Sequence, residues 1–310
     1  MRIMFMGTPE FANYSLDALI EEGYDVCAVV TQPDKPRGRG HAMSHPDVYI
    51  RAEEYNIPIY QPENLKKETF EDILTSVNPD IIVVTAYGKI LPEYVLNFPK
   101  YGCINVHGSL LPAYRGAAPM QWAIINGETK TGITIMYMEK GLDTGDMIIK
   151  EEVEITDKDT YETLHDKMAI VSKPTLIKAL KLIGEGKIMR EKQDDALSSY
   201  SPMIDKKTAL IDWSKKATDI SNLIRGLNPF PKAFTIFEGK GLKILEGYAV
   251  DKNYQAKCGE IVEVNKDNFV VCCGDDTFLE VLSIQPEGKR VMSVEDYLKG
   301  NKIEKNTYLG

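Results

Sequence analysis

Arg2-Ile3-Met4-Phe5-Met6-Gly7-Thr8-Pro9-Glu10-Phe11 opens the chain. Four consecutive apolar residues, 3–6, read as a buried strand, Gly7-Thr8-Pro9 as a turn, and the spacing of apolar residues over 11–22 predicts a helix. The unit repeats downstream. Apolar runs at 26–31, 59–61, 81–86 and 104–106 alternate with helical patterns over 48–55 and 70–77. Continuous apolar strands alternating with helices form a mostly parallel, Rossmann-like doubly wound α/β sheet, covered on both faces. Ligands of such sheets sit outside the carboxyl ends of the strands, so the residues following Met6, Ala86 and Val106 are the first places to seek a site. The turn after the first strand, Gly7-Thr8-Pro9-Glu10, lacks the GxGxxG fingerprint, which speaks against NAD and nicotinamide-dependent oxidoreduction.

Further along, strands are predicted at 131–138 and 147–153, flanking a tight glycine-bounded loop at 141–145. A long helix follows from Asp159, with Glu162 as its capping partner, to about Ile183. Residues 191–205 are polar and patternless and read as a linker. Beyond them come a helix over 217–225 and short strands at 233–237, 242–249, 259–264, 268–273 and 278–284, which predict a small C-terminal β-barrel. The expected domains are therefore 1–190 and 206–310.

Among 310 residues, 37 Lys and Arg face 46 Asp and Glu, a net charge of -9 that argues against wholesale nucleic-acid binding. The acidity is uneven: from Lys206 onward there are 16 basic against 15 acidic residues, and before it 21 against 31, which permits a basic face on the C-terminal part. Cys27, Cys103, Cys258, Cys272 and Cys273 have no CxxC spacing, and adjacent Cys272 and Cys273 in a strand would point to opposite faces, so reduced structural thiols are expected. His41 and His45 stand four apart without a third ligand pattern, and no metal is expected. Nothing approaches the ~20 apolar residues of a membrane span. A cytoplasmic, monomeric protein with no membrane contact is expected.

The chemistry concentrates in Cys103-Ile104-Asn105-Val106-His107-Gly108-Ser109-Leu110-Leu111-Pro112. Asn105 and His107, two apart at a strand end, share one face of the sheet. A donating amide and an imidazole suit acyl transfer to an amine, where an oxyanion develops and protons move between nitrogens. Asp143, in Gly141-Leu142-Asp143-Thr144-Gly145, is the candidate to orient that histidine.

The string N-V-H-G-S-L-L-P-A-Y-R-G-A-A-P-M-Q-W from Asn105, followed by N-G-E-T-K-T-G-I-T-I-M and G-L-D-T-G-D-M, resembles the folate-dependent formyltransferase family, and the likeness is long and ungapped. The resemblance implies that Asn105, His107 and Asp143 form the catalytic trio. It implies a folate site built from Ser109, Leu110, Leu111 and Pro112, with apolar walls near Tyr87, Gly88 and Ile90 and at 137–140. The donor would be 10-formyltetrahydrofolate, released as tetrahydrofolate.

Two stretches bear on the acceptor. Thr31-Gln32-Pro33-Asp34-Lys35-Pro36-Arg37-Gly38-Arg39-Gly40 resembles the insertion with which family members that formylate initiator methionyl-tRNA reach the acceptor stem, which implies tRNA contacts for Arg37 and Arg39. After Gly40 the chain departs from those members, with His41-Ala42-Met43-Ser44-His45-Pro46-Asp47 where they often carry lysines. The segments 211–216 and 224–234, with the end 285–293, resemble the family's C-terminal OB-like domain, so the likeness covers nearly the whole chain. Amino-sugar-nucleotide formyltransferases share that domain and remain the alternative. A catalytically silent tRNA- or folate-binding module is disfavoured by the intact trio.

Overall fold

A computed structural model of the chain describes residues 1–37 and 42–310, and none of the helices among them is long and apolar enough to cross a membrane. The first half runs β1 (Arg2–Gly7), α1 (Glu10–Glu21), β2 (Asp25–Val30), two short antiparallel strands β3 (Lys35–Arg37) and β4 (Ala42–Ser44), α2 (Asp47–Glu54), β5 (Ile59–Tyr60), α3 (Lys67–Val77), β6 (Ile81–Thr85), α4 (Glu93–Leu96) and β7 (Cys103–His107). Then follow β8 (Arg115–Gly116), α5 (Pro119–Ile125), β9 (Lys130–Tyr137), β10 (Met147–Glu154) and α6 (Tyr161–Gly184). The chain divides into two compact units: one holds residues 1–116, 131–153 and 165–200, the other 117–130, 154–164 and 201–310.

The first unit is built on a seven-stranded sheet ordered β10-β9-β7-β6-β1-β2-β5. β1 lies parallel to both β2 and β6, with Phe5 opposite Val29 on one side and Val83 on the other. Its residues alternate between faces, yet Ile3, Met4, Phe5 and Met6 are all fully buried, which explains why the run is continuously apolar rather than alternating. Met4 and Met6 pack with Phe70, Leu74, Val84 and Tyr87 on one face. Strand order reverses between β1 and β6, the switch point at which doubly wound sheets open a crevice. β9 runs antiparallel to β7, so the sheet is mixed.

The elements expected from periodicity are present, with ends that coincide or differ by at most three residues. The long helix differs in its cap. Asp159 accepts hydrogen bonds from the Thr156 amide and hydroxyl, whereas Thr160 and Thr163 exchange side-chain to amide bonds at 3.0 and 3.3 Å and so begin α6. The helix continues through Pro174.

The second unit carries α7 (Ala217–Gly226) and a six-stranded antiparallel sheet formed by β12 (Phe234–Phe237), β13 (Lys240–Val250), β14 (Ile261–Val264), β15 (Phe269–Cys272), β16 (Phe278–Pro286) and β17 (Met292–Ser293). Before α7, Tyr200–Ser201 forms the short strand β11, and the chain closes with α8 (Val294–Leu298). Ile220 and Ile224 of α7 join Trp213, Ile244, Phe269 and Leu279 in one core, and the Trp213 indole N–H is satisfied by Thr235 Oγ1 at 3.0 Å. Gly226 lies against α5, where a Cβ would stand 2.7 Å from Ile125 Cγ1. Cys273 packs in this core and Cys272 in the smaller cluster with Val262, Val270 and Phe278, the opposite-face arrangement expected of neighbours in a strand.

Candidate active site

β7 carries Asn105 and His107 to the carboxyl edge of the sheet, where His107 stands opposite Thr134 of β9. Thr134 locks the turn that follows. Its hydroxyl donates to the Ser109 carbonyl at 2.6 Å and accepts from the Leu111 amide at 3.1 Å, while Ser109 Oγ donates to the Ala113 carbonyl at 2.6 Å. Leu111 seals the underside against Met136 and Met147. Ser109 and Leu111 are thus buried parts of the turn's own structure, and Leu110 and Pro112 remain half-buried on it.

The turn returns at Tyr114, whose φ of 60° aims its carbonyl at His107 Nε2, 3.0 Å away. A carbonyl only accepts, so Nε2 carries the hydrogen and Nδ1 is left facing Asp143 Oδ2 at 3.7 Å. Asp143 has a φ of 52°, and each of its oxygens faces a donor: Oδ1 lies 3.5 Å from Asn105 Nδ2, and Oδ2 accepts from the Gly116 amide at 2.9 Å. The three side chains predicted from sequence therefore meet. His107 is only 5% exposed and Asp143 13%, so the carboxylate interacts with its partners across a region of reduced solvent screening.

The Asp143 loop is held by the two glycines that bound it and by Gln193, which has no signature in the sequence. A Cβ at Gly145 would fall on the Tyr137 carbonyl, and one at Gly141 on Thr144 Oγ1, so both positions exclude side chains. Gln193 then donates from one amide nitrogen to the carbonyls of Asp143 and Gly145, both at 2.8 Å, and is itself held by Arg115 Nε at 3.0 Å. Arg115 also binds Asp195 at 2.8 Å. Gln193 lies within the patternless stretch 191–205, where periodicity gives no reason to single it out.

The remaining candidates are dispersed. The Tyr87 ring is buried in the sheet's core, and burial pushes its phenol up to about 12. Its carbonyl is the part turned to the switch point, accepting from Thr8 Oγ1 and Gln32 Nε2, both at 3.0 Å. Gly88 follows at a φ of 82°. Ile90 is 81% exposed and lines a groove of about 510 Å³ with Leu65, Pro92 and Tyr94, a hollow that none of the trio borders. Arg37 contributes its backbone to β3, but its side chain and all of Arg39 lie outside the described residues.

Residues 1–180 match the model of the formyl transferase family, and residues 203–302 that of the formyl transferase C-terminal domain. The chain belongs to the formyltransferase family. Its curated relatives include the methionyl-tRNA formyltransferase of Caldanaerobacter subterraneus subsp. tengcongensis, 51% identical over the whole of both chains, and that of Acetivibrio thermocellus, 48% identical, again over the whole of both. Among solved structures, a sugar 3N-formyl transferase crystallised in the presence of dTDP and 5-N-formyl-THF superposes with a TM-score of 0.68 at 20% identity, covering 94% of this chain and 99% of that one. The last likeness concerns the fold. In this formyltransferase, the juxtaposition of an amide donor, an imidazole and a carboxylate at the strand end offers one group for a developing oxyanion, one for proton transfer and one to orient the second.

Proposed function

We propose that this formyltransferase moves the formyl group of 10-formyltetrahydrofolate to the free α-amine of initiator methionyl-tRNA, giving N-formylmethionyl-tRNA for translation initiation. The observation that carries the acceptor is end-to-end identity of 51% and 48% with methionyl-tRNA formyltransferases, against 20% with the sugar enzyme. The neutral amine attacks the formyl carbon, the tetrahedral intermediate collapses with cleavage of the bond to the folate nitrogen, and that nitrogen leaves with a proton as tetrahydrofolate. Asn105 Nδ2 steadies the oxyanion, a role worth about 3 kcal/mol for one donor. His107, exchanging the Tyr114 carbonyl for the reacting nitrogens at Nε2, carries the proton from the attacking to the departing nitrogen, and Asp143, fixed by the Gly116 amide, faces Nδ1 and orients the ring. Neither a metal nor a nicotinamide takes part.

The folate is held along the edge formed by the Ser109 to Pro112 turn and the backbone at Tyr87 and Gly88, with Ile90 on the outer wall. The tRNA is received by Arg37 and Arg39 and by residues 206–310, read as an OB-like domain joined to the catalytic domain of residues 1–190. The near-neutral charge of that C-terminal part, 16 basic against 15 acidic residues, suits a polyanion better than the acidic remainder does. A monomer working in the cytoplasm fits this reading.

The test is transfer of labelled formyl from 10-formyltetrahydrofolate to charged initiator methionyl-tRNA, beside uncharged tRNA, an amino-sugar nucleotide and glycinamide ribonucleotide. Label on the charged tRNA alone is the expected result. Label on the sugar nucleotide instead keeps the chemistry and overturns the acceptor.

A further inference from the structure

His45 occupies a position that the transfer chemistry does not use, yet it is held from two sides. Its Nδ1 lies 2.9 Å from Asp34 Oδ1, and its ring stacks on Tyr49 of α2 with centroids 4.0 Å apart and planes 8° from parallel. Asp34 is fixed in turn by Gln61 Nε2 at 2.7 Å, and the same nitrogen donates to the Gln32 carbonyl at 3.0 Å. These hydrogen bonds to Gln61 and His45 hold the Asp34 carboxyl below its usual range. The His45 side chain is nevertheless 48% exposed, and Met43 beside it 64%. A flat ring with one face packed, its edge anchored and half its surface in water is a preformed stacking platform.

Its place in the fold says what it would stack. Asp34 and Gln61 follow β2 and β5, so the platform stands on the carboxyl edge that also bears His107. From β7 to β2 there are three strand spacings, a span on the order of 15 Å. Lys35, exposed, pairs across β3 and β4 with Ser44, the residue before His45, so the strand pair that leads into the platform also carries a cation. An exposed aromatic face on a segment that also carries a cation suits a base of an unpaired strand.

We infer that the His45 ring, stacked on Tyr49 and anchored by Asp34, receives an unpaired base near the 3′ end of the acceptor tRNA and so positions the aminoacyl end at Asn105 and His107. This rests on the tRNA reading above. Stacking needs only a π face, so the contact is tolerant of base identity, and it falls in the stretch where the chain departs from the lysine-bearing pattern of the members it resembles. Met43, Pro46 and the Tyr49 ring complete the apolar surround, and Asp34 fixes the ring plane.

Steady-state kinetics on the full chain test it, with charged initiator tRNA and 10-formyltetrahydrofolate varied in turn. His45→Ala is expected to raise KM for the charged tRNA about tenfold, the size of one lost base-stacking contact, with KM for the folate within twofold of the parent. His45→Phe, which keeps the flat ring and loses the bond to Asp34, should recover most of the loss. In anisotropy titrations with uncharged tRNA, trimming the unpaired 3′ nucleotides should weaken binding to the parent more than to His45→Ala. An unchanged KM for tRNA in an active His45→Ala overturns the inference while leaving the proposed function standing, and so does a rise confined to the folate KM, which would assign the platform to the donor's anionic tail. Failure of the parent itself to formylate charged tRNA overturns the proposed function instead.

Discussion

Asp143 accepts on both oxygens, from Asn105 Nδ2 and from the Gly116 amide, with His107 Nδ1 3.7 Å from the second. Replacing it with Asn must turn an amide donor toward one of these donors, because only one of its two terminal atoms can accept. Asp143→Asn is therefore expected to lower kcat about 10²-fold or more while folate KM stays within a few fold, the signature of a group acting on the histidine. Single-turnover formyl transfer measures it, and near-normal turnover would remove Asp143 from the mechanism. Asn105→Ala should cost about 10²- to 10³-fold in kcat, as expected for one oxyanion donor. Asn105 and His107 were legible because a strand's two-residue period puts them on one face whatever the tertiary detail. The Tyr114 carbonyl and Gly116 amide were not, since every residue carries these groups and only the turn geometry selects which of them point inward.

The 141–145 loop has no regular hydrogen bonding of its own and depends on Gln193. Removing that side chain leaves the carbonyls of Asp143 and Gly145 without their donor, a loss of about 1–3 kcal/mol if water does not replace it. Gln193→Ala should accordingly lower kcat by about tenfold and speed hydrogen exchange at the amides of residues 141–146, with exchange in β1 and β6 unchanged. Unaltered exchange in that loop would show that the two glycines and their packing hold it without help. Elements themselves were largely readable: the apolar runs of β1, β2 and β6 are too short for helices and are bounded by turn residues, which marks them as buried strands. Cap chemistry was less so. Asp159, Thr160 and Thr163 all offer acceptors near the start of α6, and tertiary contacts decide among them, with Arg225 binding the Asp159 carbonyl at 2.6 Å and leaving Thr160 to begin the helix.

At the scale of the whole molecule, a chain of net charge -9 that receives a polyanion must draw its affinity from a few local cations, and the loss of tRNA affinity with salt scales with their number. Doubling the salt concentration should lower tRNA affinity several-fold and leave folate affinity nearly unchanged. Stability carries a separate pH dependence through buried acids. Burial pushes the Cys103 and Cys273 thiols, like the Tyr87 phenol, up to about 12. Their ordinary values are 9.0 for the thiols and 10.0 for the phenol. Below pH 9 folded and unfolded chains both keep these protons, and the groups add no pH dependence. Between about 9 and 12 the unfolded chain releases them while the folded chain does not, so unfolding is favoured by about 1.4 kcal/mol per pH unit for each fully buried thiol. The urea midpoint should therefore fall between pH 8 and pH 10.5. Cys103→Ala should shallow that fall, and Tyr87→Phe, which also removes a buried hydroxyl that has no hydrogen-bond partner among the described residues, should shallow it while holding or raising the midpoint at pH 8. An alkaline fall equally steep in both variants would mean that other groups, the surface lysines foremost, govern it.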